Sequence, residues 1–148
     1  MNLKLKIAED MKDAMRAGDT RRRDTVRLLQ AAIKQREVDT RAPLDDAAVI
    51  AVIEKMLKQR KDSIAQYEAA HRSDLADIEK FEAQILNAYM PQALSDEEIK
   101  SLVDEVVLAI DAKGQQDMGK VMAALKSKLA GRADMAKVSA LVKERIAN

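Results

Sequence analysis

The stretch Tyr89-Met90-Pro91-Gln92-Ala93-Leu94-Ser95-Asp96-Glu97-Glu98 interrupts a steady helical spacing of apolar residues and then restarts it. Pro91 has no amide hydrogen and disfavours helix at the residue before it. Ser95 and Glu98 stand at the spacing of a capping box, in which the serine accepts an amide of the new helix and the glutamate reaches back to the serine amide. One helix therefore ends before Pro91 and another begins after Ser95. With a boundary at about residue 92, the chain reads as an N-terminal helical domain over 1–91 and a C-terminal three-helix tail domain over 92–148.

Working upstream, Leu75, Ile78, Ile85, Leu86 and Tyr89 line the inner face of a helix that Ser73 is placed to cap. Before it, Val49, Val52, Ile53, Met56, Leu57, Ile64 and Tyr67 keep a helical period from about Asp46 to Ala70, with Asp45 as its cap and Leu44 as a hydrophobic staple. Val26, Leu28, Leu29, Ala32 and Ile33 mark a helix from about Thr20 to Asp39, and Leu3, Ile7, Met11 and Met15 mark the first, broken at Gly18. Downstream, Ile99 to Ile110 form a helix ended at Gly114; Asp117 caps the next, which Gly131 ends, and Asp134 caps the last. The fold class is all-α, with about four helices in the first domain.

Composition narrows the chemistry. The 148 residues include 26 Lys and Arg, 25 Asp and Glu, a single His, no Cys, no Trp, and only Phe81, Tyr67 and Tyr89 as aromatic rings. The core must be aliphatic, and cysteine-based disulfides, zinc sites and nucleophiles are excluded. Neither a P-loop nor a GxGxxG or GxSxG motif occurs. His71 reads as a surface turn residue, and adjacent acids such as Asp45-Asp46 and Glu97-Glu98 sit at helix starts, where the dipole explains them. The sequence thus reads as non-catalytic, with no cofactor and no metal. Lacking a long apolar run or an N-terminal signal pattern, it is expected to be cytoplasmic and without a membrane partner.

The near-neutral total hides local polarisation. Residues 92–112 carry a net charge of −5 and residues 113–148 a net charge of +5. A second basic concentration comprises Arg16, Arg21, Arg22, Arg23, Arg27, Lys34 and Arg36. Charged runs ordinarily make solvated helix faces with weak ion pairs. In the tail, however, Lys120 lies near a helix start, where phosphate is attracted, and Lys126, Lys128 and Arg132 gather toward its end. The tail has no aromatic side chain on which a base could stack, so RNA would be bound by shape and backbone.

Several stretches resemble the YqeY-type proteins of the GatB/YqeY group: Val26-Arg27-Leu28-Leu29-Gln30-Ala31-Ala32-Ile33-Lys34, Lys58-Gln59-Arg60-Lys61-Asp62-Ser63, Tyr89 to Ser95, Asp117-Met118-Gly119-Lys120-Val121-Met122, and Gly131-Arg132-Ala133-Asp134. The resemblance implies a helical domain followed by a tail domain. The same pair is similar to the C-terminal part of the bacterial amidotransferase B subunit, which acts on Asp or Glu mischarged on tRNA-Asn or tRNA-Gln. There the tail is thought to meet the outer corner of the tRNA. The implied activity label is carbon–nitrogen ligase with glutamine as amido donor, carried by association because the catalytic part of that subunit has no counterpart here. Gly119, Lys120, Gly131, Arg132 and Asp134 match the tail motif. Gly119 is not needed for capping, which leaves close helix packing or a backbone that must approach a ligand.

Two functional expectations follow. The first is a stand-alone tRNA-binding adaptor acting in translation, with Gly119, Lys120, Lys126, Lys128, Arg132 and Lys137 facing the backbone of the tRNA elbow and aminoacylation or transamidation proteins as further partners. The alternative is a protein–protein interaction module without RNA contact, using the acidic helix 96–112 or the Arg-rich helix 20–39.

Overall fold

A computed structural model describes residues 2–129 and 131–147; Met1 and Asn148, the outer ends of the two expected domains, lie outside the described residues. Seven α-helices and one short 3₁₀ turn account for the regular structure, with no strand among the described residues. The chain divides into two compact units, Met1–Met90 and Pro91–Asn148.

The first unit contains α1 (Leu3–Ala17), α2 (Thr20–Thr40), α3 (Asp46–Ala69) and α4 (Ser73–Asn87). Asn2 and Asp46 both serve the start of α1: the Asn2 side chain accepts from the Leu5 amide, and Asp46, in the first turn of α3, accepts from the Leu3 amide at 2.9 Å. Gly18 turns the chain at φ 68°, a left-handed conformation that costs glycine nothing, and Asp19 caps α2 by accepting from the Arg22 amide. Asp45 caps α3 as the sequence suggests, with Leu44 packed on the core beside it. Glu37 Oε2 accepts from Lys4 Nζ and from the Leu44 amide, both at 2.8 Å, and ties the end of α2 to α1 and to the loop that follows. The Lys4 bond first, and the Leu44 amide next, hold the Glu37 carboxyl below its ordinary range.

Ile7, Val26, Leu29, Ile33, Val49, Ile53, Ile85 and Leu86 form the aliphatic core of this unit. Each such side chain contributes roughly 1.5–3 kcal/mol by leaving water. Arg60 and Glu82 pair at 3.1 Å between α3 and α4, largely shielded from solvent, and Arg21 lies 4.5 Å above the Phe81 ring. Tyr89 follows α4, buried, and its hydroxyl donates to Asp10 on α1. Three residues expected to face inward are exposed: Met15, Leu28 and Ile78. Met15 and Leu28 each follow or precede a buried neighbour, Ala14 and Leu29, and one position rotates a side chain by about 100°. Near the His71 turn, α4 buries Ala76 in place of Ile78. Ser73 does not cap α4 through its side chain; Arg72 occupies the cap position and its guanidinium pairs with Asp74 at 3.1 Å.

The second unit contains α5 (Asp96–Ile110), the 3₁₀ turn Gln115–Asp117, α6 (Met118–Leu129) and α7 (Met135–Ala147). Both arms of the Ser95–Glu98 capping box are made. The core is largely valine and leucine: Val103, Val106, Val107, Val121, Leu125, Leu129, Val138 and Val142, with Met118 and Met122 packed against it. Two expected helix-boundary residues act differently. Asp111, not Gly114, makes the left-handed turn after α5, at φ 58°. Asp117 accepts from the Lys113 amide at 2.9 Å and so closes the preceding loop instead of capping α6. Gly131 adopts φ 73° after α6, and Asp134 accepts from the Ala136 amide at 3.0 Å at the start of α7.

Candidate nucleic-acid interface

The 3₁₀ turn runs directly into α6, the Met118 amide donating to the Gln115 carbonyl, and Gly119 is the second residue of that helix. It is exposed, and a Cβ built on it would meet nothing within 4 Å. Close helix packing therefore does not account for this glycine. The neighbouring Lys120 is exposed and forms no ion pair among the described residues.

Successive turns of α6 bury Val121, Leu125 and Leu129, which turns Gly119, Lys120, Ala123, Lys126 and Ser127 toward solvent. This face has small residues along its middle and a lysine on either side. Ser127 keeps its hydroxyl on the helix, donating to the Ala124 carbonyl at 3.0 Å. Ala123 and Ser127 are the residues that linear reading missed; the four-residue spacing from Gly119 is the signal that finds them.

Of the six residues expected to act together, the structure gathers three and separates three. Gly119, Lys120 and Lys126 share the outward face of α6. Lys128, two residues beyond Lys126, points about 160° away from it around the helix. Lys137, on α7, pairs with Asp96 at 3.6 Å. Arg132 is partly buried and braces the segment that leads into α5: its Nε donates to the Gln92 carbonyl at 3.4 Å, and its own carbonyl accepts from the Leu94 amide at 2.9 Å. The second basic concentration is also largely committed, with Arg16, Arg22 and Arg23 paired to Asp13, Asp19 and Asp24, and Arg21 on Phe81.

Among the described residues no group of three or more His, Asp or Glu side chains is placed to hold a metal ion, and no helix is long and apolar enough to cross a membrane.

Known proteins resembling the chain include several fungal ones named "Altered inheritance of mitochondria protein 41, mitochondrial". The one from Lachancea thermotolerans is 36% identical over 104 residues, covering 68% of this chain and 56% of that protein. That from Clavispora lusitaniae is 32% identical over 124 residues, covering 82% and 72%, and that from Eremothecium gossypii is 39% identical over 85 residues, covering 57% and 46%. The chain spans about half the length of the Eremothecium and Lachancea relatives. Their names correct the cytoplasmic expectation: those proteins are mitochondrial, and composition alone does not distinguish the two compartments, since both hold proteins without disulfides or spanning helices. The Yqey-like protein family matches residues 4–146, and the chain, from its first helix to its last, belongs to that family.

Proposed function

We propose that the protein is a non-catalytic adaptor that binds the sugar–phosphate backbone of folded tRNA, with α6 as its contact. The observation that supports this reading is the open start of α6: an exposed glycine with free space above it, next to an unpaired Lys120 and one turn from the small residue Ala123. A phosphate can approach the helix backbone at Gly119 without displacing a side chain, and the lysines on either side supply charge without base readout. Lys120 and Lys126 carry this contact. Arg132 and Lys137 support it indirectly, by bracing the unit. An association with transamidation or aminoacylation proteins rests on the resemblance to the amidotransferase B subunit and is part of the same proposal.

The test is a binding titration of the full chain with folded tRNA and with a random RNA duplex of equal length. Affinity for tRNA that falls with salt, and that drops in Lys120→Ala/Lys126→Ala while Lys128→Ala stays near wild type, supports the reading. Equal affinity for both RNAs, or no loss in the double variant, refutes it.

A further inference from the structure

Within the first unit, a groove of 560 Å³ lies between α2 and α3. Ala32, Ala48, Ala51 and Val52 line it, and Arg36 and Lys55 stand on its rim. The alanines leave room for the backbone of another helix to come close, the arrangement by which grooves take amphipathic helices. Asp39 also lines the groove, its carboxylate accepting from the Gln35 amide at 2.9 Å, so the lining carries two cations and one anion. The ion pairs made by α2 use Arg22, Arg23, Asp24 and Glu37, and neither Arg36 nor Lys55 has a carboxylate partner among the described residues.

In the second unit, α5 carries the complementary feature. Leu108 is 72% exposed, more than any other large apolar side chain described. Glu97, Ser101 and Glu105 share its face of the helix. Asp96 and Asp104 pair with Lys137 and Arg145, whereas Glu97 and Glu105 have no cationic partner among the described residues. One chain thus presents an alanine-lined groove with free cations and a helix with a protruding leucine and free carboxylates.

We infer that the α2–α3 groove of one copy receives the Glu97–Glu105–Leu108 face of α5 from a second copy, forming a homodimer by reciprocal exchange. Leu108 enters the alanine-lined floor, and Glu97 and Glu105 meet Arg36 and Lys55. The partner is chosen by charge: an acidic helix fits this rim, and the acidic helix at hand is α5.

Sedimentation equilibrium of the full chain tests this. The expected result is a monomer–dimer equilibrium that shifts toward monomer as salt is added. Leu108→Glu, at an exposed position that the fold does not depend on, weakens association by at least about tenfold with unchanged helicity. R36E/K55E and E97K/E105K each fail to dimerise alone. Mixed, they form a heterodimer, because every groove then faces a helix of opposite sign. A wild-type chain that stays monomeric up to its solubility limit overturns the inference, as does an L108E dimer of undiminished strength or a mixture that remains monomeric.

Discussion

Tyr89 donates its hydroxyl to the Asp10 carboxylate at 2.5 Å, a bond between residues 79 positions apart. It fastens the last turn before Pro91 to α1, and so it fixes where the first unit ends. The hydroxyl is pushed up from its ordinary pKa, mainly by burial and then by the bond to Asp10.

Tyr89→Phe removes the donor and leaves Asp10 without it. A loss of about 1.5–3 kcal/mol is expected, the range for a hydrogen bond to a charged group. The wild type should also show an alkaline effect that the variant lacks. Since the folded state favours the neutral phenol, this contribution is complete below about pH 10 and falls away as pH rises from there toward the higher folded value. Urea midpoints of both chains, measured from neutral pH upward, check this: the gap between them should narrow above about pH 10.

Glu37 acts in the opposite direction. Its carboxyl titrates below the ordinary range, so its contribution is present above that range and is lost as pH falls through the depressed value. Glu37→Gln should loosen the loop after α2, read as faster hydrogen exchange at the Leu44 amide, which donates to Glu37 at 2.8 Å. Unchanged exchange at Leu44 would mean that the loop is held by other contacts.

Leu125 is fully buried in the small second core, whereas Leu86 is fully buried in the first. Either residue changed to Ala should cost about 2–5 kcal/mol. Each unit has its own core, so Leu125→Ala should broaden or unfold signals of residues 96–147 in a heteronuclear NMR spectrum and leave those of Ile7, Val26 and Ile53 in place. Uniform loss across both units would show that they fold as one.

Much of the fold was legible because helix ends are set by local chemistry. Ser95 and Glu98 lie three residues apart and need no tertiary help, and Asp45 and Gly18 act within one turn of themselves. The misread ends have long-range or competing causes. Asp117 closes the loop behind it on Lys113, Asp111 adopts a left-handed conformation that sequence assigns more readily to Gly114, and Arg72 takes the cap position expected of Ser73. The site was less legible because a charge's position along the chain does not give its angle around the helix. Lys126 and Lys128 are neighbours in sequence and nearly opposite in angle. The attachment of Arg132 to Gln92 spans 40 residues and has no local signal.

Gly119 separates function from stability. Its Cβ would meet open space, and alanine is preferred in helices by about 0.8–1.0 kcal/mol. Gly119→Ala should therefore raise the stability of the second unit modestly while weakening RNA binding, because the methyl group occupies the path to the α6 backbone. A variant that is more stable and binds RNA as well as wild type would assign the glycine no role in recognition.

The most direct measurement of the central claim is the salt dependence of tRNA binding by the wild-type chain and by Lys120→Ala. The account predicts a linear fall of log affinity with log salt concentration for the wild type, and a slope smaller by about one for the variant, the signature of a lost phosphate contact. Identical slopes, or binding that does not respond to salt, would contradict it.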